Sequence, residues 1–146
     1  MVEASGWAAD EATLAEFLPE PNLARIGTVD AVGEVHVVPV WFARDGEHFL
    51  VGAQAGDPKV ENVRRTGRAS IEIAGDLRRK RGILARGDAT LTEGEEGRAA
   101  YARVAEAQLH RYQPARPPME TAARMADRGT PVVVTIVPRS IVSWGR

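Results

Sequence analysis

The chain has 146 residues, with 19 Lys plus Arg against 20 Asp plus Glu and a formal net charge of −1, so its bulk charge gives no general affinity for polyanions. It has no cysteine, which excludes disulfides, thiolate metal sites and a cysteine nucleophile. One domain, 1–146, is expected, long enough to bury roughly two-thirds of its unfolded surface.

Residues 8–18, "AADEATLAEFL", place Leu14, Phe17 and Leu18 near helical spacing, and "PEP" stops the run. "LARIGTVD" (23–30) reads as a strand, "DAVGE" as a turn, and "EVHVVPVWFAR" (34–44) as a long second strand. A "DGE" hairpin signal leads into "HFLVGA" (48–53). Asp57 and Pro58 then mark a short helix to about Thr66, with Asp57 as its cap. "RASIEIA" (68–74) alternates, and "GILARGDATLT" (82–92) is another strand. "EGEEGRAAYARVAEAQLHRY" is a second long helix, broken by "QPARPP". "PVVVTIV" (131–137) and "SIVSW" (140–144) complete the series as two strands.

About six strands in hairpin order, with connections too short for parallel βαβ units, predict an α+β, mainly β chain rather than a doubly wound sheet. Residues 113–129 form the one long, poorly patterned connection, either a lid or an arm contacting a second subunit. In the second strand both faces are apolar between Val35 and Phe42, apart from His36. Such a strand packs on barrel core by one face and on a partner or ligand by the other, or is an edge strand covered by a helix. Pro39 inside it lacks an N–H donor and belongs at an edge or bulge.

The three histidines, His36, His48 and His110, are far apart in sequence and form no metal-ligand pattern. There is no G-x-S-x-G elbow, no G-x-G-x-x-G turn and no P-loop spacing in "VGAQAGDPK". Glu95 and Glu96 read as a solvated helix face. No self-sufficient catalytic set exists, so in an enzyme a cofactor would carry the chemistry. "AGDPKVENVRR" (55–65) fits that idea: a helix N-terminus offers free N–H groups, Lys59 adds a point charge, and Asn62 follows one turn on. On spacing alone a capped basic helix in solvent is the better-supported reading of the two. "RRKR" (78–81) predicts a cationic hairpin loop: a solvated turn, a nucleic-acid patch, or a clamp for an anionic cofactor tail. Without interleaved aromatics the nucleic-acid option is the weaker functional one. No apolar run approaches 18 residues and no basic-then-apolar leader opens the sequence, so a cytoplasmic protein without membrane association is expected.

"LARIGTVD", "HVVPVWF", "K..N.RR...RASI", "ARGDATL" and the terminal "VSW", in this order, resemble the pyridoxamine 5'-phosphate oxidase-like split β-barrel family, in its flavin- and deazaflavin-dependent oxidoreductase branch. The resemblance implies a six-stranded antiparallel split β-barrel with flanking helices. It implies a homodimer with the cofactor at the subunit interface and no nucleic-acid partner. It implies hydride transfer from coenzyme F420, or FMN as the alternative, to a small conjugated or aromatic acceptor; a non-catalytic flavin, F420 or tetrapyrrole carrier or sensor is the other reading. By the same resemblance His36, Pro39, Val40 and Trp41 line the ring, Gly52 and Ala53 lie at the phosphate, and Lys59 and Asn62 bind it. Arg78 and Arg79 would hold the tail, which favours F420; no catalytic side chain and no metal are implied. Trp144 matches the family's terminal tryptophan. Two departures stand out: Asp57 replaces a basic residue, and Gly52 has no hydroxyl.

Overall fold

The computed structural model describes residues 2–75, 78, 80–115 and 118–145. Its strands are β1 (Glu3–Ser5), β2 (Leu23–Val29), β3 (Val35–Val40), β4 (Ala43–Asp45), β5 (His48–Gln54), β6 (Arg68–Ala74), β7 (Gly82–Thr92) and β8 (Pro131–Trp144). The α-helices are α1 (Glu11–Phe17), α2 (Pro58–Thr66), α3 (Gly94–Tyr112) and α4 (Pro118–Ala126), and Gly6–Ala9 forms a 3-10 turn. None of these helices is long and apolar enough to cross a membrane.

Seven strands form one antiparallel path, β3-β2-β6-β7-β8-β5-β4, and β1 adds to β8 in parallel. Alternation decides what faces inward. Ala24, Ile26 and Thr28 of β2, Ile71 and Ile73 of β6, Ile83 and Ala85 of β7, and Val134 and Ile136 of β8 are buried. They meet Phe49 and Val51 of β5 in one core. Leu14 and Phe17 of α1 and Val60 and Val63 of α2 join that core. Each fully buried side chain of this size contributes about 1.5–3 kcal/mol relative to exposure. The strands β3 and β4, at opposite ends of the path, are joined by Trp41 and Phe42 alone, so the sheet must curl until its ends meet. The result is a split barrel with flanking helices, as expected, but with eight strands in place of six, because β1 adds to β8 and the short β4 is separate from β3.

Several elements differ from the sequence reading, each for a local reason. The expected strand 34–44 is interrupted, because Phe42 turns into the core while Trp41 turns out towards α3 and α4. Its two apolar faces are unequal: within one chain Val35 and Val37 remain 73% and 56% exposed. The segments 131–137 and 140–144 are one strand, β8, because the irregularity at Pro138 is absorbed as a bulge. Gly87 pairs with Pro138 and Arg86 with Ser140, leaving Arg139 as the extra residue, and a residue without an N–H is tolerated at such a site. The connection 113–129 contains α4, which packs on α3 through Ala122. Strand β1 was not foreseen; three residues of mixed polarity give no alternation to detect.

A Cβ at Gly87 would run into the Val137 carbonyl oxygen, whereas one at Gly27 meets nothing within 4 Å. We therefore expect Gly87→Ala to lower the melting temperature by roughly 5 °C or more, and Gly27→Ala to leave it nearly unchanged, in thermal unfolding followed by circular dichroism.

Candidate functional site

At the end of β3 the chain divides its aromatic residues between two environments. Phe42 is fully buried in the barrel. Trp41 stacks on Tyr112 at the end of α3, with ring centroids 5.1 Å apart and planes 21° from parallel. The Arg111 guanidinium lies 4.0 Å above the Phe42 ring and donates to the Phe42 carbonyl. Burial lowers the Arg111 pKa from its ordinary value and raises that of Tyr112. The Tyr112 hydroxyl donates to the Asn22 carbonyl at 3.0 Å. Together these contacts fasten the end of α3 over the β3–β4 junction.

The second group of residues lies where β5 runs into α2. Ala53 points into the core and Gly52 points outward. An aromatic ring from α3 covers Gly52: a Cβ there would come within 2.9 Å of Tyr101 Cε2. The turn after Gln54 uses Gly56 at φ +89°, which only glycine adopts without strain. Asp57 does not cap α2 with its side chain. Its Oδ2 instead accepts from the Gln54 backbone N–H at 2.9 Å, locking the same turn, and faces Lys59 Nζ at 3.3 Å. The lysine side chain is only 16% exposed. Burial raises the Tyr101 pKa from its ordinary value, and the Asp57 charge adds to the rise.

Asn62, one turn after Lys59, is not open to a ligand. It is buried, donating to Thr28 Oγ1 at 3.0 Å and accepting from Arg65 at 3.4 Å, so it clasps α2 to β2. Thr28 pairs in turn with His36 of β3, whose Nδ1 is buried without a hydrogen-bond partner among the described residues. Pro39 lies opposite Arg25, and Val40 opposite Ala24. β3 ends the hydrogen-bonded path, and the missing Pro39 donor costs nothing on that free edge.

The "RRKR" turn joins β6 to β7 next to Ala74 and Gly82, while α2 enters β6 at Arg68, beside Asp88. Within one chain Arg78 therefore sits at the opposite end of the barrel from Lys59, and Arg79 lies outside the described residues. The two are separated by a seven-residue strand, about 20 Å of extended chain. Arg81 is committed elsewhere, stacked 4.3 Å over Trp7. Trp144 is partly exposed, and its carbonyl accepts from the Trp7 indole at 2.8 Å, a structural contact.

A groove of about 600 Å³ crosses the outer face of β3, β2, β6 and β7, lined by Val29, Val35, Val37 and Leu84 with Arg68 and Arg86. Arg25 at its edge pairs with Glu72 at 3.1 Å, and Arg139 reaches Asp88 at 3.9 Å. The expected site residues do not line it. Its signal was present in the sequence as the outward half of each alternating strand.

An antiparallel sheet curled round by a two-residue link between its edge strands, with helices packed against the core, defines the split β-barrel class. The chain belongs to the pyridoxamine 5'-phosphate oxidase family, whose profile matches residues 10–137. Among solved structures it is similar to the conserved hypothetical protein Rv2991 from Mycobacterium tuberculosis, at 25% identity over 93% of this chain and 84% of that one, with a TM-score of 0.78. It is also similar in fold to an F420 reductase, at 22% identity over 86% and 93% of the two chains, TM-score 0.64. A third likeness of fold is to the heme storage protein HutZ from Vibrio cholerae, at 17% identity over 90% and 92%, TM-score 0.67. No curated protein sequence matches.

The residues present fit a phosphate-bearing, flat-ringed cofactor in part. Lys59 and the open β3 edge suit it, Gly52 offers no hydroxyl, and Asn62 is buried and bonded to Thr28 and Arg65. Asn62→Ala should lower stability by about 1–3 kcal/mol in denaturant unfolding, because it leaves Thr28 without its buried partner.

Proposed function

We propose that the chain is an oxidoreductase that uses a flavin-type cofactor, coenzyme F420 or FMN, for hydride transfer to a small conjugated or aromatic acceptor. The observation that carries this reading is the half-buried Lys59 in the first turn of α2, next to the end of β5. A helix N-terminus and an ammonium group together suit a phosphate. The free edge of β3, with the backbone from Pro39 to Trp41, suits the face of a flat ring. A reduced flavin or deazaflavin supplies the hydride when bound; the protein's part is to hold and orient it and to exclude water.

The reading includes a homodimer with the cofactor between subunits. Val29, Val32, Val35 and Val37 are 42–81% exposed on one hairpin. Such a contiguous apolar surface is the kind that a second copy covers. Within one chain Arg78 lies far from Lys59, so in this reading a clamp for the F420 tail would come from the partner subunit, and F420 and FMN are both carried forward.

A second reading, a non-catalytic carrier or sensor of a flavin, F420 or tetrapyrrole, is favoured by one feature. His36 Nδ1, buried and without a hydrogen-bond partner among the described residues, is a nitrogen that a ligand seated against β3 would satisfy. Turnover of an acceptor panel with cofactor demonstrably bound distinguishes the two.

Titration with FMN and with F420, followed by absorbance, should show binding of at least one. Lys59→Ala should weaken it about tenfold or more. Wild-type protein that binds neither would sink the proposal, and unchanged affinity in the variant would remove the lysine's role. In sedimentation the wild type should run as a dimer and Val37→Glu as a monomer with reduced cofactor affinity. A monomeric wild type that still binds cofactor would overturn the interface site.

A further inference from the structure

We infer that the groove on the outer face of β3, β2, β6 and β7 binds a flat, apolar molecule carrying an acid group, with Arg68 and Arg86 holding the anion. The inference deepens the proposed function by giving its acceptor an acid group, and to that extent rests on it. Binding in the groove does not itself require the cofactor.

The floor of the groove is bare. On one rung of the sheet Val37, Gly27, Ser70 and Arg86 stand side by side, and a Cβ at Gly27 would meet nothing within 4 Å. No turn, bulge or positive φ requires glycine at that position. A glycine inside a strand weakens it and marks a place where another molecule comes close to the backbone. The walls around this floor are apolar, formed by Val29, Val35, Val37 and Leu84. The space of about 600 Å³ falls within the range of small-molecule sites, roughly 300–1,000 Å³.

The charges are unevenly satisfied. Arg25 is paired with Glu72 and Arg139 with Asp88. Arg68 lies opposite Asp88, and Arg86 opposite Ser70, so Arg68 and Arg86 are diagonal neighbours about 7–8 Å apart. Neither guanidinium has a hydrogen-bond or ion-pair partner among the described residues. Two unpaired planar donors beside an apolar wall suit a carboxylate or a similar anion. From β7 to β3 is three strand spacings, about 14 Å. A two-ring aromatic lying on Val37 therefore brings its acid group within reach of the Arg86 side chain. A second copy is the rival occupant. The lining holds four arginines and one glutamate, and a two-fold contact filling the groove would press this positive patch against itself. Charge thus favours a small anion there, with a second copy resting on the hairpin as a roof.

Two fluorescent probes of one ring system test the inference on cofactor-free protein: 8-anilinonaphthalene-1-sulfonate and the uncharged N-phenyl-1-naphthylamine. The wild type should bind the sulfonate more tightly, and naphthoate should displace it at lower concentration than naphthamide. Arg68→Gln with Arg86→Gln should weaken the sulfonate about tenfold or more. The same variant should leave the uncharged probe and the melting temperature unchanged. Gly27→Leu, which fills the floor, should weaken both probes. Full sulfonate affinity in the double arginine variant, or equal losses for both probes, would overturn the inference. Displacement of the probe by FMN or F420 would make the groove the cofactor's own seat and also overturn it. Binding seen only when the protein is diluted to monomer would give the groove to a second copy, with the same consequence. The cofactor titrations described above decide the function separately, since no cofactor is present here.

Discussion

The two-residue link from β3 to β4 is the constraint on which the rest of the molecule depends. Hydrogen bonding runs outward from the centre of the sheet in both directions, and its two ends are neighbours in the chain through Trp41 and Phe42. An open, gently twisted sheet of this width would hold its ends far apart. Joining them by two peptide units forces the sheet to curl, and the curl creates an interior that Phe42, Phe49 and the β-branched residues of five strands fill. The same link projects Trp41 to the outside, where α3 and α4 gather over it. Barrel core and helical cover thus meet at one dipeptide, with Arg111 bridging them by stacking on Phe42 and donating to its carbonyl.

Around the candidate site, residue type and residue use diverge. Asp57 has the sequence position of a helix cap, yet its carboxylate closes the preceding turn and balances Lys59. Asn62 has the right type for a ligand contact and is consumed by Thr28 and Arg65. A buried amide must satisfy its own hydrogen bonds first, so a motif match at a core-facing position says little about ligand contact. Lys59 differs in that its ammonium, with three donors, is given only the Asp57 carboxylate as a partner among the described residues.

The sequence made most of the barrel legible because period-two alternation survives in "LARIGTV", "RASIEIA" and "GILARGDATLT", whose inward residues are the core. It was less reliable where the chain bends without a turn signal, as at Trp41–Phe42, and where a proline lies in a bulge rather than at a strand end, as at Pro138. Helix α4 was hidden by the prolines before it. For the site, the β5–α2 junction could be read locally, because Gly56, Asp57, Pro58 and Lys59 are consecutive. Tyr101 could not, since α3 lies more than forty residues further on and only tertiary packing brings its ring over Gly52. The placement of Arg78 was equally invisible: which end of the barrel a hairpin loop occupies depends on strand direction in the closed sheet, not on its charge.

The pairing of β1 with β8 has a mechanical consequence. The two strands run parallel, Glu3 beside Ser140 and Ser5 beside Val142, and the Trp7 indole ties the far side of the pair to the Trp144 carbonyl. Tension applied between Glu3 and Trp144 therefore acts along the strands rather than across them. Under such shear all rungs share the load and must fail together, whereas strands peeled apart lose them one at a time. The barrel is consequently built to resist a pull along this axis more strongly than its short first strand would suggest.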